Sequence, residues 1–352
     1  MIRVEVMNFA ESLSSWQRPT KMKPLIGKFL LVYLAFFGLS GGEGVAQTVI
    51  RVGYSGGEIT STQHRVYAKA HVWEKRGLDV RPVYFTSGSI MAQAMLTGEI
   101  LIADSDVPGI LTLGVSGVMD VKVIAVTINR IPQIFAARNN IQKPQDLRGK
   151  RIGISRFGSA SDITTRMVLR YWQIDPEKDV QLIQSGNGPV RLAAMAAGHL
   201  DGGILGLESQ QQILALGCCK VLASLLDLPM DYARFGIVVP VSVLKTRRDV
   251  LQKFLEGLVE GIHAFKTRPE LAMAVLGETI RDQKVAKLSY RSWADSLREY
   301  PSPDPVGMQA ALDSLVAITS KARGTAAKDF MDSTLLEEIK STGYIDRLYN
   351  RY

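Results

Sequence analysis

The chain has 352 residues, of which 46% are hydrophobic and 22% charged. That balance belongs to a globular protein with room for about two domains of roughly 100–200 residues each, and it excludes disorder on a large scale. The formal charge is +8. The bases are interspersed with acids, and the densest cluster, Lys245-Thr246-Arg247-Arg248, is short and has no interleaved aromatics. The excess therefore reads as a solvated surface, and no nucleic-acid partner is expected. The two cysteines, Cys218 and Cys219, are adjacent, and the four histidines (His64, His71, His199 and His263) are isolated from one another. No metal-ligand spacing or cofactor motif arises from them. Adjacent cysteines rarely bridge each other, because a disulfide sets its two Cα atoms well apart. They read as small, partly buried residues at the end of a helix.

Residues 22–46, MKPLIGKFLLVYLAFFGLSGGEGVA, have the layout of a secretory leader. Lys23 and Lys28 give the positive start, Phe29 to Leu39 the apolar run, and Gly44 and Ala46 the small residues of a cleavage site after Ala46. The run is too short for a membrane span, which needs about 20 apolar residues. Met22 opens a leader of ordinary length, so it is the expected start, and residues 1–21 are a polar extension ahead of it. No cysteine follows the cleavage site, so export without a lipid anchor is expected, which points to the periplasm.

Strand-like and helix-like patterns then alternate. Val49 to Gly53, Leu78 to Phe85, Ile100 to Ala103 and Val121 to Val126 read as strands, and about Ser89 to Leu96 as a helix stopped by Gly98. After a loop and short helix over 141–149, the pattern restarts. Strands are expected at Arg151 to Ser155, Val180 to Ile183 and Gly203 to Gly206, with helices at Ser161 to Trp172 and Pro189 to Ala197. This alternation argues for parallel sheets with covering helices, in two α/β blocks. Beyond about residue 240 the chain turns helical. Val250, Leu251, Phe254, Leu255, Leu258, Val259, Ile262 and Phe265 form one packing stripe. Pro301 to Pro305 reads as a rigid turn between helices.

In open α/β sheets, ligands bind beyond the carboxyl ends of strands, where helix starts offer free N–H groups. Five such places are rich in small or polar residues: Tyr54-Ser55-Gly56-Gly57, Thr86-Ser87-Gly88-Ser89, Asp104-Ser105-Asp106, the run from Ser155 to Asp162, and Ser185-Gly186-Asn187-Gly188. Each alone is compatible with ordinary turns and caps, and Ser159 with Asp162 fits a capping box. Together they occupy matching positions in the two blocks and suggest a cleft that cradles a polar or anionic group. There is no Walker loop, dinucleotide fingerprint or nucleophile elbow, and no catalytic constellation emerges.

Several stretches carry a family resemblance: IRVGYS, EKRGLDV, GSIMAQAMLTGEILIAD, IQKPQDLRGKRIGISRFGSASD, LIQSGNGPVRLAAMAAGHLDGGIL, FLEGLVEGIHAFKT and TGYIDRLY. In this order and spacing, the chain resembles the substrate-binding proteins of ABC importers of the nitrate/sulfonate/taurine class, from about Val49 to Tyr349. The resemblance implies a type II periplasmic binding protein fold: two lobes with mixed β-sheets flanked by helices and two hinge-crossing strands, near Gln133 to Arg138 and Phe235 to Pro240. Lobe one is then 48–135 plus 240–352, and lobe two 136–239. It further implies a monomeric, non-catalytic carrier that closes on a small molecule and docks on an inner-membrane permease. Candidate ligand contacts are Ser55, Gly56, Ser87, Gly88, Ser89, Asp104, Ser105, Phe157, Gly158, Ser159, Asn187, Gly188 and Glu208. Ser105-Asp106-Val107 and Gly206-Leu207-Glu208 depart from the glycines and prolines of similar proteins. With Asp104, these acids argue against a bare, multiply charged anion. Arg156 is placed either to meet a carboxylate or sulfonate or to face solvent. Two alternatives remain at this point: an enzyme resembling thiamine-pyrimidine synthases, whose cysteine-rich iron motif Cys218-Cys219 does not supply, and a sensor module for a membrane receptor.

Overall fold

The computed structural model describes residues 47–350 apart from 57, 87, 230 and 317. The leader, its start at Met22 and its cleavage site lie outside the described residues. The first block supplies β1 (Thr48–Ser55), α1 (Glu58–Lys69), β2 (Leu78–Phe85), α2 (Gly88–Leu96), β3 (Ile102–Asp106), α3 (Val107–Val115) and β4 (Val121–Ile128). The second supplies β5 (Gln133–Arg138), β6 (Arg151–Ile154), α4 (Ala160–Tyr171), β7 (Gln181–Gln184), α5 (Gly188–Ala196), β8 (Gly202–Gly206), α6 (Gln210–Leu216) and β9 (Cys219–Ser224). The tail continues with β10 (Phe235–Pro240), α7 (Val241–Thr246), α8 (Arg248–Thr267), α9 (Pro269–Leu276), α10 (Gln283–Ser296), α11 (Pro305–Leu315), α12 (Thr334–Ser341) and α13 (Tyr344–Leu348).

Two five-stranded sheets result, ordered β2-β1-β3-β10-β4 and β7-β6-β8-β5-β9. In each, the first three strands are parallel and the fourth runs antiparallel to both neighbours. The sheets are thus mixed, as the resemblance implied, and not parallel throughout, as the alternation alone suggested. The exchanged fourth strand is the reason. The chain passes between sheets at 129–132 and at 225–234, and β5 and β10 each join the sheet they enter. Lobe limits at 135/136 and 239/240 fall inside these strands, because Gln133 to Phe135 pair with β8 and Phe235 to Val239 pair with β4.

Of the tail helices, α8 and α12 pack against the first sheet. In α8, Leu251, Phe254, Leu255, Leu258, Val259, Ile262 and Phe265 of the expected stripe are completely buried, and Val250 is half-buried. Each such side chain contributes about 1.5–3 kcal/mol by leaving water. Gly257 lets α8 approach Trp73, whose ring stacks on Phe254 with centroids 5.4 Å apart. Helix α11, capped by Asp304 and opened by Pro305, packs against α3 of the first lobe and α4 of the second. Among the described residues, no helix is long and apolar enough to cross a membrane.

Two sequence expectations need correction here. Strand β3 extends to Asp106, so Asp104 and Ser105 sit inside a fully buried strand instead of on the loop after it. Asp106 is the N-cap of α3, its carboxylate accepting the Gly109 N–H at 2.9 Å. Cys219 opens β9 instead of ending a helix, because Gly217 adopts a left-handed turn that terminates α6. Its thiol is pushed up to about 12, chiefly by burial and then by the neighbouring Cys218.

Candidate functional site

The carboxyl ends of β1 and β2 in the first sheet and of β6, β7 and β8 in the second border one cleft, of about 680 Å³. Parallel strands place all their C-terminal loops at one edge of a sheet. Pairing of β1 with β2 puts Tyr54 beside Tyr84, and their rings lie 5.5 Å apart. Tyr84 is 53% exposed on this wall. Phe235, at the start of β10, and Trp293, from α10, add a second aromatic pair with centroids 5.4 Å apart. The Trp293 indole N–H donates to Gln63 Oε1 at 2.7 Å, which fixes the ring.

The opposite wall holds Ser155, Ala160 and Ser161, the start of α5 at Gly188 and Pro189, and Arg191. Gly153 and Gly203 make room for Arg191. A Cβ at these positions would sit 2.8 Å from Arg191 Cγ and 2.6 Å from its Cδ, so the side chain lies flat on the sheet and its head reaches the strand ends. Its Nη2 donates to Ser155 Oγ and to Gly186 O, both at 3.0 Å, and Nη1 donates to Ile204 O. Arg191 is only 3% exposed. Burial lowers it to about 10, so it stays charged at neutral pH. Among the described residues it has no carboxylate partner, and its Nε has no hydrogen-bond partner.

Arg234 lies at the end of the second passage between the sheets, lines the cleft and pairs with the buried Asp106. Its guanidinium also lies 4.9 Å from the centre of the Phe235 ring. Beneath Tyr54, His64 Nε2 is 3.3 Å from Asp104 Oδ2. Burial lowers His64 to about 4 and raises Asp104 to about 7. Two of the acids weighed against a multiply charged anion thus have their own partners or surroundings: Asp106 pairs with Arg234, and desolvation favours the neutral form of Asp104.

Of the candidate contacts named from sequence, Gly56, Asn187 and Gly188 line the cleft, and Tyr54, Thr86, Ser155, Ala160 and Ser161 of the same turns line it with them. Asn187 caps α5, its side chain accepting the Val190 N–H at 3.2 Å. Ser55 and Ser105 lie one layer down, with their hydroxyls 2.5 Å apart, and Asp104 is buried beside them. Gly88 begins α2 and is packed against Ser105 and Gly109. Phe157, Gly158 and Ser159 are not brought into the lining. Phe157 is 57% exposed, Gly158 donates its N–H to Asp162 at 2.8 Å from a φ of +76°, and Ser159 caps α4 by accepting from Asp162. Ordinary capping explains Gly158 and Ser159. The Arg156 side chain is exposed. Ser87 lies outside the described residues. Ser89 falls in the first turn of α2 and Glu208 in a 3-10 turn after β8, and their side chains are likewise outside the description. Arg191, Arg234, Ser289 and Trp293 were not legible as site residues. For Arg191 alone there was a local signal: a cation between Val190 and Leu192 in an otherwise apolar helix.

A family model described as NMT1/THI5 like matches residues 61–272. Among curated proteins, a binding protein of Brucella abortus (strain 2308) is 29% identical over 152 residues, 43% of this chain and 46% of its own length. The match thus spans about half of that relative. Among solved structures, a protein of Bordetella bronchiseptica RB50 superposes with a TM-score of 0.72 at 17% identity, covering 87% of this chain and 99% of that one. The periplasmic aliphatic sulphonate binding protein SsuA of Escherichia coli gives 0.63 at 18% identity, covering 80% and 95%. The periplasmic nitrate-binding protein NrtA of Synechocystis PCC 6803 gives 0.62 at 12%, covering 84% and 89%. These likenesses are to the fold.

Proposed function

The chain belongs to the NMT1/THI5-like family, and from that premise we propose that it is a solute-binding protein of an ABC importer. It takes a small molecule into the cleft between its lobes and delivers it to an inner-membrane permease. The observation that carries this reading is the cleft itself. It is bordered by the carboxyl ends of parallel strands from both sheets, and among the described residues the main chain passes between those sheets at 129–132 and 225–234. Such a pair of short connections suits hinge closure around a ligand. The leader supports export to the periplasm, and the names of the structural neighbours support the importer role. The reading is non-catalytic. The described lining presents hydroxyls, amides, rings and arginines, and the adjacent thiols Cys218 and Cys219 lie outside it.

A thermal-shift screen of sulfonates, carboxylates, nitrate and pyrimidines tests the proposal. A true ligand raises the melting temperature by mass action, by an amount that grows with its concentration. No stabilising compound in a broad screen, together with no permease encoded nearby, would remove the transport role.

A further inference from the structure

Resting on the solute-binding reading, we infer that the ligand is an aromatic monocarboxylate, held by Arg191 on one wall of the cleft and stacked on Tyr54 and Tyr84 on the other. The charge follows from a tally of the described lining. Its only charged side chains are Arg191 and Arg234. Arg234 already pairs with Asp106. Among the described residues, Arg191 donates to two carbonyl oxygens and one serine hydroxyl, and its Nε has no partner. A buried cation left without a counter-ion is costly, and an arriving anion relieves that cost. Among the described lining residues, one unmatched cation matches one negative charge, and a second negative charge would find no partner there. A planar carboxylate suits a guanidinium, because both are flat and their N–H and O atoms align.

The body of the ligand follows from the facing wall. Four rings line the cleft (Tyr54, Tyr84, Phe235 and Trp293), in two pairs at 5.5 and 5.4 Å. Tyr84 holds more than half of its surface open to solvent, and a flat ring covers such a face better than a chain does. Ser289 provides an independent sign that the site is built for a ligand. It lines the cleft, is 5% exposed, and its Oγ has no hydrogen-bond partner among the described residues. Such an orphan is unusual in a buried position. It is placed to meet a polar substituent on the ring.

The test is calorimetric titration of the full chain with benzoate, 4-hydroxybenzoate, phenylacetate and indole-3-acetate. Matched controls are benzamide (neutral), phthalate (dianionic), cyclohexanecarboxylate (not aromatic) and ethanesulfonate. At least one aromatic monocarboxylate is expected to bind tenfold or more tightly than every control. Arg191→Gln should erase the preference over benzamide, and Tyr84→Ala, an exposed position that the fold does not need, should erase the preference over cyclohexanecarboxylate. Benzamide binding as tightly as the acids overturns the charge assignment. Equal binding of cyclohexanecarboxylate overturns the aromatic assignment. A neutral or aliphatic ligand found by the thermal-shift screen overturns this inference and leaves the carrier role standing, whereas no ligand of any class removes both.

Discussion

The buried pair beneath the aromatic wall makes a pH prediction that can be read without knowing the ligand. His64 and Asp104 are wholly buried 3.3 Å apart. Asp104 is raised from 3.8 to about 7 by desolvation. Its contribution to stability is complete below 3.8 and is lost as pH climbs through about 7. His64 is lowered from 6.5 to about 4 by desolvation. Its contribution is complete above 6.5 and is lost as pH falls through about 4. At 1.36 kcal/mol per pH unit, His64 is worth up to about 3 kcal/mol and Asp104 up to about 4 kcal/mol. The two trends oppose each other between about pH 4 and 6.5, so in the wild type this pair contributes almost no slope there. Replacing one partner exposes the other. His64→Leu should become less stable by about 3 kcal/mol, relative to wild type, as pH rises from 4 to 7, and Asp104→Asn should become more stable by a similar amount from 4 to 6.5. Urea unfolding at steps of pH, followed by tryptophan fluorescence, measures both. Variants that keep the wild-type profile, or slopes of the opposite sign, would refute the assignment of neutral forms to this pair.

Two further perturbations test the packing around the cleft. Asp106→Ala leaves Arg234 buried without its carboxylate and removes the cap of α3, so it should cost about 3–5 kcal/mol in urea unfolding; Asp106→Asn, which keeps a capping oxygen, should cost about 1 kcal/mol less than the alanine. Gly257→Ala should destabilise by about 1–3 kcal/mol despite alanine's better helix propensity, because its Cβ would lie 2.3 Å from Trp73 Cδ1; thermal unfolding reads the loss.

The strands were legible because β-branched runs such as those of β4 and β1 stand out against their flanks, and α8 because eight apolar residues recur at helical spacing. The mixed character of the sheets was legible only through the family resemblance, and not in the strand pattern. Which sheet β5 and β10 join is decided by where the chain passes between the lobes, and nothing in their residues encodes that. Helix α3, VPGILTLGV, is apolar all round because it is buried on most sides, which erases the periodicity that would mark a helix. The small-residue turns did locate the right edge of each sheet, and Gly56, Asn187 and Gly188 reach the cleft. Ser159 and Gly158 look the same in sequence but are taken up by the start of α4. The acidic residues argued against a multiply charged anion; what the sequence did not show is that burial raises Asp104 and Arg234 pairs with Asp106. Trp293 and Ser289 arrive from a helix far along the chain, so no local pattern points to them.

Whether the cleft carries a solute in its native setting is answered most directly by releasing what the protein holds. Protein purified from the cells that make it, without exhaustive dialysis, is denatured and the supernatant compared by mass spectrometry with that from an Arg191→Gln variant. The account predicts a small organic acid released in near-equal molar amount from the wild type and at least tenfold less from the variant. The same compound released equally from both, or nothing released from protein that also fails to respond to any compound in the thermal-shift screen, would contradict it.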